Sequence, residues 1–342
     1  MLRFPLIRYL PERTNFKFVS VAGVMGVIST LLIIASLVSM VTAGFRSNPV
    51  DLFNEVDGSF GHKAAHVLSE GFNLGVDFKG GTLLELRSTQ PIDLAQVREI
   101  IGGLDLGDVQ VQSFGAETSA LVRFEITDAG ADADIARARE ALAAQAPNVA
   151  IDRTESVSAQ VSEELFSGGL MALGLAIVLM LVYIWFRFEW QFGVGAVLGL
   201  FHDVILTLGL FSVLRMEFTL TIVAALLTII GYGINDTVVV FDRLRENLRK
   251  YKKMPLGEVV DLSINETLSR TIMTGVTALM ALSVLYYLGG EALSGFAIAM
   301  LFGIVVGTYS SVYVAAPAII IWGVKRGRGE PEKGAGAPQP AG

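Results

Sequence analysis

Six predominantly apolar stretches, at about 18–43, 165–186, 191–214, 218–241, 271–288 and 292–323, organise this 342-residue chain. Each approaches or exceeds the roughly 20 residues a helix needs to cross hydrocarbon. Inside a bilayer no water reaches the backbone, so such stretches must be helices that satisfy their own N–H and C=O groups. Composition agrees: 52% of residues are hydrophobic and 17% charged, where soluble domains carry about a quarter charged. The chain reads as a polytopic membrane protein, not a soluble enzyme. The first stretch follows Arg3, Arg8, Arg13 and Lys17 and ends in Val41-Thr42-Ala43, a pattern like a signal-cleavage site. Its apolar length exceeds the roughly 7–15 residues of a signal core, so an uncleaved anchor is expected.

Charge orients the spans. With residues 1–17 cytoplasmic, residues 44–164 lie outside, and Arg187–Trp190, a loop over 242–270 and the tail 324–342 lie inside. Of the seventeen Lys and Arg outside the 45–164 block, sixteen then fall on the cytoplasmic side and only Arg215 does not. The inverted topology would violate the positive-inside tendency at nearly every short loop. The block 45–164 itself carries nine Lys and Arg against twenty Asp and Glu, a net charge of −11, while the rest of the chain is +4. About 120 residues suffice for a domain with its own core.

Within that block the periodicity alternates. Thr82–Arg87 reads as a strand; Asp93–Ile101 reads as a helix with an acidic start and a stop at Gly102-Gly103. Val109–Phe114 and Ala120–Ile126 read as strands turning near Gly115, Ala131–Gln145 as a helix, and Val149–Ser156 as a last strand. The order β-α-β-β-α-β predicts a ferredoxin-like α+β domain, which implies no function by itself. Phe45, Phe53 and Phe60 suggest a packing or mobile arm over 45–70, and the Pro-, Gly- and Ala-rich stretch 330–342 reads as disordered.

Gly75-Val76-Asp77-Phe78-Lys79-Gly80-Gly81 precedes the first strand and reads as a glycine-permitted turn or bulge entering the sheet. It is not a phosphate loop: the pair of glycines opens a strand, and no GxxxxGK[ST] occurs anywhere in the chain. The absence of cysteine removes disulfides, iron–sulfur clusters and thiolate zinc, and three histidines (His62, His66, His202) leave little for a metal centre. No cofactor, metal or nucleic-acid partner is expected.

A carboxylate in hydrocarbon costs roughly 2.5–3.5 kcal/mol on insertion scales, which makes it a functional candidate. Asp236 stands in the fourth span, seven residues before Arg243, roughly 10 Å from the inner boundary at about 1.5 Å per residue. Tyr232 and Val240 share its face, and Gly233 admits a neighbouring helix. Arg270 opens the fifth span at comparable depth with Thr274 one turn further in, so an Asp236–Arg270 pair is expected. That pair serves either as a lock between two helices or as a proton site; an Asp solvated at the cytoplasmic edge is the third reading. His202 and Asp203 lie mid-way along the third span, about 100° apart, and are expected to bond neighbouring helices rather than each other, with Asp203 a further candidate on a proton path. Gly195 and Gly199, and Gly303 and Gly307, have the spacing of close helix contacts. Asp203 and Asp236 lack the sequence context of an intramembrane aspartyl protease, and the sequon at Asn265 falls in the cytoplasmic segment. The basic run Arg243, Arg245, Arg249, Lys250, Lys252 and Lys253 suits anionic lipid or a docking partner.

The run Gly231-Tyr232-Gly233-Ile234-Asn235-Asp236-Thr237-Val238-Val239-Val240-Phe241-Asp242-Arg243-Leu244-Arg245-Glu246-Asn247 resembles the fourth-span signature of the SecF family of protein-export membrane proteins. Phe72–Thr82, with Gly75, Asp77, Phe78, Gly80 and Gly81, resembles the motif at the start of that family's periplasmic domain. Leu268-Ser269-Arg270-Thr271 resembles its entrance to the fifth span. The likeness covers residues 10–325 and implies membership of the resistance–nodulation–division transporter superfamily. It implies a multi-pass protein of the bacterial inner membrane, non-enzymatic, with its ends cytoplasmic. It also implies a heterodimer with SecD, association with YajC and the SecYEG channel, and use of the proton-motive force to draw exported polypeptide outward. Asp236 and Arg270 match the family's intramembrane carboxylate and arginine; Gly233 stands where the motif commonly has serine. A half-size exporter of lipids or small molecules, and a passive translocon scaffold, are the rival expectations. Proton and sodium coupling both suit a lone carboxylate.

Overall fold

The computed structural model describes residues 14–42, 73–107 and 109–324. The proposed 45–70 arm, His62, His66 and the 330–342 tail lie outside the described residues. Helix α1 (Phe18–Thr42) leads to a sheet domain and five further long helices. The domain comprises α2 (Val76–Lys79), β1 (Gly81–Ser88), α3 (Leu94–Gly102), β2 (Gln110–Phe114), β3 (Ala116–Phe124), α4 (Ala131–Gln145) and β4 (Val149–Val157). Then come α5 (Ala159–Arg187), α6 (Trp190–Leu214), α7 (Leu220–Lys250), α8 (Leu256–Leu288) and α9 (Glu291–Ser310). A π-helical turn over Ser311–Ala315 joins α9 to α10 (Ala316–Trp322). Among the described residues six helices, counting α9 through α10 as one, are long and apolar enough to cross a membrane.

The four strands order as β2-β3-β1-β4, every neighbouring pair antiparallel. That is the arrangement a ferredoxin-like split βαβ unit gives. Leu84 and Leu86 of β1 and Val122 and Phe124 of β3 bury one face against Ile101 of α3 and Leu142 of α4. Each such side chain contributes about 1.5–3 kcal/mol by leaving water. The start of α3 is capped by Asp93, which accepts hydrogen bonds from the amides of Ala95 and Gln96 at 2.9 and 3.2 Å, as the acidic start predicts.

The approach to α4 is pinned by Asp134, fully buried, whose carboxylate accepts from the Thr127 amide and hydroxyl, both at 2.8 Å, and from Arg137. Burial alone would raise its pKa, but the bonds from Arg137 and Thr127 hold it below the usual 3.8. A lowered carboxylate pKa adds stability above the unfolded value that is lost as pH falls through the folded one. Asp134→Ala is therefore expected to cost the sheet domain about 2 kcal/mol at neutral pH, since buried donors lose their acceptor. The difference from wild type should narrow as pH falls through the folded pKa, as measured by amide exchange of β1 and β3 in the intact chain.

Helices α6, α7 and α9 form the centre of the bundle, with α1, α5 and α8 around it. Without a hydrophobic force between helices in lipid, close packing of small residues brings them together. A Cβ on Gly195 of α6 would sit 2.6 Å from the Ala315 carbonyl oxygen, so this crossing admits only glycine. Gly307 of α9 faces Gly233 of α7. Both small-residue spacings in the sequence therefore mark real contacts.

The segment 242–270 differs from its expected form. It is not a loop: α7 runs on to Lys250 and α8 begins at Leu256, so both helices project past the apolar zone as an antiparallel pair. Asn247 donates to Ser263 at 3.0 Å and to Glu266 at 2.7 Å across it, and Arg243 donates to Glu266 at 2.7 Å. Arg243 is thus engaged within the chain, which narrows the basic run left for lipid or a partner. At the same end Asp261 caps α1 through the Val19 amide (2.8 Å), and Asn265, noted as a sequon, holds both the amide and the carbonyl of Phe16 at 2.9 Å.

Candidate functional site

Asp236 is 8% exposed, on the face of α7 turned toward α8 and α9. Its two carboxylate oxygens accept hydrogen bonds from Thr271 of α8 at 2.5 Å and from Ser311, the first residue of the π turn, at 2.6 Å. The carboxylate therefore ties α7 to both α8 and the head of the π turn that follows α9. An apolar run with one acid predicts the residue; nothing in it predicts these partners.

Two expected partners lie elsewhere. Arg270 is exposed and, among the described residues, its guanidinium bonds no acid. It lines a cleft of about 380 Å³ with Asp242, Arg243, Glu246, Glu266 and Thr267. Successive helical residues point about 100° apart, so turning Thr271 to Asp236 turns Arg270 away. Thr274 is exposed too, and its hydroxyl is spent on the carbonyls of Arg270 and Thr271 at 3.0 Å each.

Asp203 of α6 is also buried, at 4%, and accepts from Ser310 of α9 at 2.9 Å. The expectation that it would not pair with His202 fails: His202 Nδ1 lies 3.0 Å from Asp203 Oδ1. Nδ1 sits one bond from the root of the ring and the Asp chain is short, so both can turn into the same interface despite the 100° offset. His202 stacks on Tyr309 at 5.8 Å, and the Tyr309 hydroxyl reaches the Met25 carbonyl and the Ser29 hydroxyl of α1, each at 2.9 Å. A Cβ on Gly233 would lie 3.0 Å from Asp203 Oδ2. The small residue at 233 thus bears on Asp203, one turn from Asp236.

The remaining motif residues divide. Gly233 packs inward, Tyr232 turns its hydroxyl toward Gly275, and Asn235 is exposed on the outer face of α7. Ala224 and Thr228 are exposed on that face as well, and Gly231 has open space before it. A stripe of small and polar residues facing out of a membrane span is the surface another helix packs on.

At the sheet end, Gly75–Gly81 forms a joint as well as a turn. Asp77 of α2 accepts from the Leu220 amide at 2.9 Å, which places a carboxylate on the first turn of α7, where the helix dipole favours it. The Gly75 amide donates to the Phe218 carbonyl at 3.0 Å, and the Phe218 amide to the Asn73 carbonyl at 2.7 Å. Phe78 packs between Phe166 of α5 and Phe218, with centroids 5.6 and 5.9 Å away. Gly80 and Gly81 turn the chain from α2 into β1 with φ of 73° and 105°. The sequence marked the turn; its partner, the α6–α7 connection, lies some 140 residues downstream.

Beside this joint Gln112 of β2 donates to Glu217 at 3.1 Å, and Arg123 of β3 donates to Gln110 at 2.5 Å and to the Leu74 carbonyl. Burial pushes the Glu217 carboxyl up, against the pull of the Arg123 charge. A raised carboxylate pKa means that ionisation opposes docking, and the opposition is relieved as pH falls through the folded value. Lowering pH from neutral on the sheet side is expected to raise the protection of Leu74–Lys79 relative to their intrinsic amide exchange rates, and Glu217→Gln to remove that change in protection.

Three kinds of comparison bear on this arrangement. The family described as "Protein export membrane protein SecD/SecF, C-terminal" matches residues 137–325, and the "SecD/SecF GG Motif" matches residues 68–92. The protein translocase subunit SecF of Cereibacter sphaeroides is 43% identical over 339 residues, 96% of each chain. That of Rickettsia bellii is 39% identical over 94% of this chain and 98% of its own. The crystal structure of SecDF, a translocon-associated membrane protein from Thermus thermophilus, superposes with a TM-score of 0.76 at 31% identity over 92% of this chain. SecDF in its super-membrane-facing form gives 0.59. This chain spans 40% of the length of either SecDF chain.

Proposed function

The chain belongs to the SecD/SecF family of protein-export membrane proteins, and we propose that it acts as the SecF-type auxiliary subunit of the Sec export machinery, converting a proton gradient into late-stage movement of exported polypeptide. Its partner is a SecD-type half, packed along the outward stripe of Ala224, Thr228, Gly231 and Asn235 on α7. The 40% coverage of SecDF fits one half of a two-part assembly. YajC and the SecYEG channel complete the complex, in the inner membrane. The N-terminal segment and the Asp242–Arg270 end face the cytoplasm, and the sheet domain faces outward, as the distribution of Lys and Arg favours.

The observation that carries the reading is Asp236, a buried carboxylate that three helices share through Thr271 and Ser311. Ionised, it accepts both hydroxyls; protonated, it becomes a donor and must give up one of them. Ser311 has the Thr308 carbonyl at 3.0 Å as an alternative acceptor, so the exchange leaves no group unsatisfied. The contact between α7 and the π turn is the element that changes. Motion of α7 passes to the sheet domain through Asp77 on its first turn. The connections near 44–50 and 157–167 carry it too; the first lies outside the described residues, and the second runs from β4 directly into α5. Arg270, at the opposite mouth, lines the cleft through which the proton leaves. A passive scaffold would share the fold but have no use for the carboxylate. Gradient-dependent late export in vesicles, compared between wild type and Asp236→Asn at matched assembly, separates the two.

A further inference from the structure

We propose that Asp203 and Asp236 form one two-carboxyl relay, joined by the consecutive serines 310 and 311 at the head of the π turn, with Asp203 as the outer member. The inference rests on the reading of Asp236 as the coupling group and extends it to a second acid.

Three independent placements support it. Ser310 donates to Asp203 at 2.9 Å and Ser311 to Asp236 at 2.6 Å, so adjacent residues of one helix each hold one acid. Each serine also has a backbone acceptor in reach: Gly307 at 3.2 Å for Ser310 and Thr308 at 3.0 Å for Ser311. Either hydroxyl can therefore point to its carboxylate or back into the helix, according to which acid holds a proton. The switch lies where the helix changes from α to π winding, and such single-turn interruptions concentrate at functional positions.

The order along the path follows from Gly233. Its Cβ position is 3.0 Å from Asp203, and it precedes Asp236 by one turn of α7, whose start is the sheet end. A proton entering from the sheet side meets Asp203 first. It then passes from the Asp203 carboxylic acid to the Asp236 carboxylate, leaving Asp203 ionised for the next.

The groups facing Asp203 are few: His202 on its own helix, Ser310 and the Tyr309 ring from α9, and glycines 233 and 307. Around Asp236 they are Thr271 and Ser311. Among the described residues no Lys or Arg bonds either acid. His202 Nε2 is buried without a partner among the described residues, so this ring has an open acceptor or donor on the side away from Asp203.

The test uses the full chain with its SecD-type partner in lipid vesicles. Infrared difference spectra of the carboxyl region are recorded on acidification for wild type, Asp203→Asn, Asp236→Asn and Ser310→Ala. Expected are two bands that vanish one at a time in the two Asn variants. Asp203→Asn should also move the midpoint of the surviving Asp236 band by about one pH unit, as coupled sites do. Ser310→Ala keeps both acids, shifts the frequency of the Asp203 band alone, and lowers gradient-driven export about tenfold, a loss in the range of a charge-assisted hydrogen bond. It carries the test should Asp203→Asn fail to assemble. A wild-type spectrum in Asp203→Asn, an unmoved Asp236 midpoint, or an unshifted Asp203 band in Ser310→Ala overturns the relay. If Asp236→Asn keeps gradient-driven export, the coupling function itself falls; if it loses export while Asp203→Asn loses no band, only the relay falls.

Discussion

Asp236→Asn is expected to abolish the gradient-dependent stage of export while leaving the ATP-supported stage and assembly with the partner intact. The substitution is nearly isosteric. The Asn carbonyl oxygen still accepts from Thr271, and Ser311 turns to the Thr308 carbonyl already 3.0 Å away. Structure should therefore survive where charge does not. A charge moved through 100 mV is worth about 2.3 kcal/mol, which biases a two-state element about 50-fold. The neutral amide loses all of that bias, so the gradient-driven rate should fall toward the rate without a gradient, by up to about 50-fold. The measurement is late-stage release of a secretory precursor in vesicles, with and without an imposed gradient. Equal gradient dependence in wild type and variant would make Asp236 a packing residue and the chain a scaffold. Substituting a sodium gradient for the proton gradient in the same vesicles identifies the coupling ion.

Much of this architecture is legible in the sequence because two periodicities are strong. Predominantly apolar runs longer than a signal core mark the six spans, and alternating patterns over residues 82–156 mark the sheet domain in its strand order. The error at 242–270 has a definite source. Charged residues end the apolar runs, but the end of an apolar run is not the end of a helix. Helical spacing continues through those charges, as the Arg243–Glu246 pair three residues apart shows. Outside the bilayer a helix needs no apolar face on every side.

The site divides by distance along the chain. Asp236 announces itself as an acid among Ile, Val and Phe. Its partners carry no such mark, since Thr271 and Ser311 are ordinary residues of apolar helices and become hydrogen-bond donors only through the crossing of α7, α8 and α9. Arg270 was the conspicuous neighbour, and charge made it the expected partner. One residue along a helix changes the face by about 100°, which is enough to send the arginine to the cleft and the threonine to the acid. The same rule applied to His202 and Asp203 excluded a bond that exists, because it describes where Cβ atoms point and not how far short side chains can turn.

The joint between the sheet domain and α7 gives the second large effect: Gly81→Ala should uncouple the domain from the membrane helices without unfolding it. At φ 105° an L side chain is strained, at a cost of about 1–3 kcal/mol. Its Cβ would also stand 2.6 Å from the Phe124 carbonyl oxygen, a backbone atom held in the β1–β3 ladder beside Thr82. The core of Leu84, Leu86 and Phe124 lies beyond this point and is untouched, so the cheapest response is to shift the chain N-terminal to β1. That chain is α2, which carries Asp77 and Phe78. Loss of the Asp77 cap frees the Leu220 amide, and Phe78 leaves its place between Phe166 and Phe218. Amide exchange at Leu220–Val223 should rise at least tenfold while exchange in β1 and β3 changes little, and gradient-driven export should fall about as far as in Asp236→Asn. Gly75→Ala is the milder contrast, because its Cβ would meet the Thr219 methyl at 2.7 Å, the end of a side chain that can rotate. Asp77→Ala should fall between, removing a cap worth about 1 kcal/mol. If Gly81→Ala raises exchange at Leu220 yet exports like wild type, motion of α7 does not travel through this joint. The acid and the outer domain would then have to be linked by another connection.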